Sequence, residues 1–159
     1  QRILFSGGHG AMGYSLPAAI GAYYASRKPI VCFNGDGGFQ MNIQELQFIA
    51  SHHLPIKIIV FNNHSLGMIR HFQEMYFDSR YAQTIASGNY FSCNLRKISE
   101  AYNIPFYEFS DSDFTVKHVF DDMGPCLVEI SLPEETYVIP KLAVGKPIVL
   151  PNFLPSTTL

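Results

Sequence analysis

The sequence predicts an α/β protein: a doubly wound, mostly parallel sheet with helices on both faces. Three observations predict it. Apolar runs stand at Ile30-Val31-Cys32-Phe33, at Ile56 to Phe61 and at Cys126 to Leu132, with the length of buried strands. Stretches of helical pattern alternate with these runs, as crossovers between parallel strands require. Turn chemistry closes each run, with Asn34-Gly35-Asp36-Gly37-Gly38 after the first and Asn62-Asn63 after the second.

Taken in order, Ile3-Leu4-Phe5 reads as a short opening strand. A glycine loop from Ser6 to Gly13 leads into a helix of small and apolar residues, Leu16 to Ala25, with Pro17 near its start, where a missing N–H does no harm. After the Ile30 run, Met41, Leu46, Phe48 and Ile49 mark a helix, ended by His52-His53 and Leu54-Pro55. Both imidazoles suit the negative end of that helix better than a metal. Ser65 is placed to cap a helix that begins near Leu66 and continues through Ile69 to Phe77. Tyr81 to Phe91 is polar and glycine-containing, a loop expected to order over the site. Asn94 caps the next helix, Phe106 to Phe109 is a short strand, and Asp111 caps a helix through Phe120. Beyond Leu132, prolines at 133, 140, 147, 151 and 155 space an extended arm. The expected division is therefore a domain over 1–132 and an arm over 133–159.

Composition narrows the function classes. With 159 residues, 47% apolar and 15% charged, the chain has the means to build one core. A net charge of −2 argues against nucleic acid or an anionic membrane as partner. Cys32, Cys93 and Cys126 are odd in number and far apart, and read as reduced thiols of a cytoplasmic protein. The chain opens on Gln1, the pattern of a segment of something longer or of a processed terminus.

The chemistry concentrates where the first two strands end. Asp36 and Asn63 lie just past the carboxyl ends of buried strands, the edge where open α/β sheets bind ligands. A carboxylate and an amide carbonyl are hard oxygen donors suited to Mg²⁺ or Ca²⁺. Gly37 and Gly38 permit close backbone approach, and the following helix start offers free N–H groups to an anion. A metal-bound phosphate or diphosphate is the ligand this pattern favours. A second glycine motif competes with it. Gly8-His9-Gly10-Ala11-Met12-Gly13 matches the dinucleotide fingerprint, but the acidic residue such a site needs further on would have to be Asp36.

Gly35-Asp36-Gly37, a gap in the mid-twenties and then Asn62-Asn63 resemble the signature of thiamine diphosphate enzymes. The longer stretches Gly35 to Leu46 and Leu54 to Met68 resemble the acetolactate synthase large subunit and its near relatives, over roughly residues 6 to 140. The resemblance implies the thiamine diphosphate-binding fold, with thiamine diphosphate and Mg²⁺ as cofactors and a 2-keto acid as substrate for decarboxylation and carboligation. It implies Asp36, Asn63 and the Ser65 backbone carbonyl as metal ligands, completed by the diphosphate and a water. Gly35, Gly37, Gly38, Leu66, Gly67 and Met68 would wall the cofactor. The loop residues Gly10, Ala11 and Met12 would hold its aminopyrimidine ring, although Met12 read by itself is a core methionine. Phe72 stands where these synthases typically carry a channel-lining Trp, and the chain has no Trp.

The resemblance also implies what lies elsewhere. The activating glutamate belongs to a pyrimidine-binding domain of the partner subunit. None of Glu45, Glu74, Glu100, Glu108 or Glu129 matches it, so this chain carries no catalytic residue of its own. A homodimer or homotetramer follows, and any FAD would sit in another domain. Alternatives are the same domain from a 2-keto acid decarboxylase, an oxidase or a synthase of an unusual product, and a non-catalytic cofactor-binding module.

Overall fold

The computed structural model describes residues 2–109 and 117–139. The order of elements is α1 (Ser15–Ser26), β1 (Ile30–Gly35), α2 (Asp36–Gln40), α3 (Glu45–Ser51), β2 (Ile56–Asn62), α4 (Gly67–Tyr76), a 3₁₀ turn (Ala86–Gly88), α5 (Leu95–Ala101), β3 (Phe106–Phe109), α6 (Lys117–Asp121) and β4 (Cys126–Ser131). The four strands form one sheet in the order β1-β2-β4-β3, every pair parallel. The chain thus runs out to the far edge at β3 and turns back to insert β4, which places helices on both faces.

One face is closed by α1, α2, α3 and α5. There Leu16, Phe39, Leu46, Ile49 and Leu95 pack on Ile56, Ile58, Val60 and Leu127. Removing a ring as fully enclosed as that of Phe39 costs about 3–5 kcal/mol. The described residues cover the other face only in part. Val119 of α6 packs on Ile59, Cys126, Val128 and Ile130. Further along the same face, Phe33 and Phe61 stack on each other with centroids 6.0 Å apart, and both stand exposed beside Val31. Lys57 is buried under α6, where its ammonium donates to the carbonyls of Asp122 at 2.7 Å and Gly124 at 2.8 Å, answering the negative end of that helix.

Several expectations need correction. Ile3-Leu4-Phe5 is not a strand: no neighbour pairs with it, and its side chains are exposed. The helix expected after Gly38 is two helices separated by Met41 to Gln44. In that turn Glu45, Leu46 and Gln47 donate to carbonyls only three residues back. Ser65 does not cap α4. The helix starts at Gly67 with no side-chain cap, because the Ser65 hydroxyl donates to the Thr84 carbonyl at 3.0 Å instead. Asn94 does cap α5, accepting from Lys97 N–H at 2.9 Å. His52 closes α3 as a structural group, stacked on Phe48 with centroids 4.0 Å apart. The Asp111 cap and the arm beyond residue 139 lie outside the described residues. All three cysteines are free, and burial lifts the thiols of Cys32 and Cys126 to about 11. No helix among the described residues is long and apolar enough to cross a membrane.

Candidate functional site

The site grows from the register of β1 and β2. Gly35 lies opposite Phe61, so the chain leaves the sheet at Asp36 level with Asn62, one residue short of Asn63. Gly35 is still extended, and Asp36 opens α2. Two neighbouring parallel strands thereby deliver their polar termini to one rim. A cleft of about 500 Å³ opens there. It is lined by Ala11, Met12, Gly35, Asp36, Gly37, Gly38, Asn63, Ser65, Leu66, Gly67 and Met68, together with His71, Tyr137 and Val138.

Asp36 is 2% exposed, yet no lysine, arginine or histidine among the described residues pairs with it. Burial raises its carboxyl above the ordinary range, against hydrogen bonds from Tyr90 and the backbone N–H groups of Gly37 and Asp36. The Tyr90 hydroxyl donates to Asp36 Oδ2 at 2.9 Å. A buried carboxylate with only neutral donors is a costly arrangement. A cation arriving at the rim would remove that cost.

The two asparagines at the end of β2 divide the work. Asn62 is buried and structural: its amide donates to Glu129 Oε1 at 2.6 Å, and its carbonyl accepts from His64 N–H and Ser92 Oγ, both at 3.1 Å. Asn63 faces the cleft. Its Nδ2 reaches the Glu134 carbonyl at 3.5 Å, which turns Oδ1 away as a remaining acceptor. Ser65 is buried, with its hydroxyl committed to Thr84 and its backbone carbonyl accepting no backbone N–H among the described residues. A carboxylate, an amide oxygen and a backbone carbonyl are the donor set that Mg²⁺ or Ca²⁺ takes. No cluster of three or more His, Cys, Asp or Glu occurs among the described residues, so a histidine- or thiolate-based metal site is not formed there.

Gly37 is the tightest point. A Cβ there would collide with Leu66 Cδ2 and stand 3.2 Å from Met12 Cε and 3.3 Å from the Tyr90 hydroxyl. Met12 is thus a cleft residue, 42% exposed, and not the core methionine it resembles in isolation. Gly10 has φ +66 and does not line the cleft. Phe72 does not line it either. It stands 38% exposed on α4, its ring tilted against Tyr76 at 5.4 Å.

One wall of the cleft is held by charge. Arg70 of α4 is 5% exposed and pairs with Glu74 at 3.0 Å, Glu134 at 2.9 Å and Glu135 at 3.3 Å. Tyr81 and Tyr137 both donate to Glu74 Oε1, the former at 2.9 Å and the latter at 2.5 Å. Burial opposes the charge on Arg70, but Glu74 and its neighbours outweigh it and raise the guanidinium further. Burial likewise opposes the charge on Glu74, and the hydrogen bonds from Tyr137, Tyr81 and Arg70 lower its pKa regardless. The segment 133–139 is fastened to α4 in this way, which brings Tyr137 against His71, centroids 4.5 Å apart.

Sequence reasoning finds Asp36 and Asn63 because their spacing follows strand ends. It misses Tyr90, Asn62, Arg70 and Tyr137. Tyr90 sits in a loop without periodicity, and its partner is far away in the chain. The polar loop 81–91 does carry the hint that something covers the rim.

Comparison with known proteins adds to this geometry. The family model described as thiamine pyrophosphate enzyme, C-terminal TPP binding domain, matches residues 1–130. The acetolactate synthase large subunit of Lactococcus lactis subsp. lactis (strain IL1403) is 35% identical over 152 residues, covering 91% of this chain and 25% of that protein. The acetolactate synthase large subunit of Porphyra purpurea is 37% identical over 145 residues, 89% of this chain and 24% of its own length. The acetolactate synthase isozyme 2 large subunit of Escherichia coli (strain K12) is 35% identical over 150 residues, 91% of this chain and 27% of its own. The chain spans about a quarter of the length of these curated relatives.

Proposed function

Since the chain belongs to the thiamine pyrophosphate enzymes, as an acetolactate synthase-like C-terminal TPP-binding domain, we propose that its rim anchors the cofactor's diphosphate through a divalent cation, Mg²⁺, held by Asp36, Asn63 and the Ser65 carbonyl. The observation that carries this reading is the buried carboxylate of Asp36, which pairs with no lysine, arginine or histidine among the described residues. When bound, thiamine diphosphate supplies the carbanion chemistry by which 2-keto acids are decarboxylated and joined to a second carbonyl compound. The chain's own residues bind and orient. Asp36 brings the one protein charge to the cation, Asn63 and Ser65 add neutral oxygens, and Gly37 and Gly38 let the backbone come close. Met12, Leu66 and Met68 wall the cleft with apolar surface, which excludes water from the ligand.

The general acid–base glutamate comes from a pyrimidine-binding domain on a partner subunit, which makes the working enzyme at least a dimer. Free thiols suit a reducing, cytoplasmic setting. Phe72, in place of the expected Trp, favours a second reading in which the parent enzyme is a relative with a different acceptor, a decarboxylase or an oxidase. Product analysis of the full-length enzyme with pyruvate alone and with a second keto acid separates the two.

Calorimetric titration of thiamine diphosphate, with Mg²⁺ and again with EDTA, tests the anchor. Heat that requires Mg²⁺ is expected. Equal heat in EDTA, or none from the full-length protein with Mg²⁺, overturns it.

A further inference from the structure

We propose that Tyr90 is a positioning residue for the metal site: its hydroxyl holds one oxygen of Asp36 so that the other is presented to the cation. This inference rests on the reading of Asp36 as a metal ligand. Tyr90 O–H donates to Asp36 Oδ2 at 2.9 Å, and Tyr90 is only half-buried, so its ring follows the loop that carries it. A carboxylate free to rotate presents either oxygen at any angle. With Oδ2 held by Tyr90, and the Gly37 and Asp36 N–H groups adding their bonds to the carboxylate, the rotamer is fixed and a lone pair on Oδ1 remains for a ligand.

The loop carrying Tyr90 is built on the other half of the site. Tyr90 N–H donates to the Ile85 carbonyl at 3.0 Å. The adjoining Thr84, 1% exposed, offers its carbonyl to Leu66 N–H at 2.9 Å and to Ser65 Oγ at 3.0 Å. Its own hydroxyl donates to Gln73 Oε1 of α4 at 2.6 Å. Two residues past Tyr90, Ser92 Oγ donates to Asn62 Oδ1 at 3.1 Å. The contact to Asp36, after β1, is therefore braced on Asn62, the last residue of β2, and on Ser65 and Leu66 beyond it. Tyr90 ties the two strand ends together and sets the aim of the carboxylate within a rigid frame.

The test uses Mn²⁺ as probe, titrated in the presence of thiamine diphosphate into the full-length protein that carries this domain, with unbound ion counted by electron paramagnetic resonance. Wild type, Asp36→Asn and Tyr90→Phe are compared, together with their melting temperatures without metal. The phenylalanine keeps the ring and removes only the donor. We expect Tyr90→Phe to bind Mn²⁺ about 10- to 100-fold more weakly, with its metal-free melting temperature unchanged. A merely structural role would lower that temperature and leave Mn²⁺ affinity alone. Equal or tighter Mn²⁺ binding by Tyr90→Phe, with Asp36→Asn impaired, overturns the Tyr90 role by itself. Unimpaired binding by Asp36→Asn, or no binding by wild type, overturns the metal reading and the Tyr90 role with it.

Discussion

Arg70 and Asp36 are both charged, both buried, and answered in opposite ways. Arg70 meets three carboxylates, with two tyrosines completing the donor set around Glu74. Asp36 meets a phenol and backbone N–H groups, and no cation among the described residues. The first charge is satisfied within the chain and fastens the 133–139 segment to α4. The second is not, so the fold carries its cost until something positive arrives. The contrast separates a staple from the proposed binding site. Burial of charge alone does not mark function, but burial without a counter-charge does.

Breaking the staple should have the largest effect. Arg70→Met leaves the half-buried Glu74 without its cation and is expected to cost about 3 kcal/mol in urea unfolding. The double change Arg70→Met/Glu74→Gln should recover much of that, since both charges leave together. Glu134 and Glu135 are exposed enough that their single substitutions stay small.

Asp36→Asn should do the reverse. Mg²⁺-dependent affinity for thiamine diphosphate is expected to fall by about 100-fold, roughly 2.7 kcal/mol. The metal-free protein should melt no lower than wild type, and higher near neutral pH. The raised carboxyl means that the folded state loses stability as pH rises through that value, a loss the amide does not share. A lower metal-free melting temperature would break the contrast.

Acid titration sharpens it further. Glu74 holds its proton less tightly in the folded protein than in the unfolded chain, where the value is near 4.5. Its contribution is complete above that pH and disappears as pH falls through the lower folded value. Unfolding curves of wild type and Glu74→Gln should therefore draw together as pH falls below about 4.5. The smallest effect is expected from Phe72→Trp in the full-length enzyme, a several-fold change in acceptor preference read from product ratios. Phe72 stands off the cleft in this domain, which limits what its ring can influence.

Much of this contrast is legible in the sequence, on one side only. Asp36 and Asn63 can be read because apolar runs locate strand ends, and ends of parallel strands locate ligands. The alternation of runs and helices yields the sheet for the same reason. Arg70 and Tyr90 cannot be read, since their partners lie on segments that meet only after the crossovers are made. Ser65 was open to misreading: a serine before a helix usually caps it, and here Thr84 claims the hydroxyl. The break at Met41 to Gln44 is likewise invisible to periodicity, which continues in phase across it.

The half-covered sheet has a consequence for anyone handling this domain apart from its neighbours. Parallel sheets are normally covered on both faces, and here the described residues leave Val31, Phe33 and Phe61 exposed on one. Attraction between such surfaces weakens on cooling. Concentrated solutions of the isolated domain should stay clear in the cold, cloud on warming and clear again when chilled.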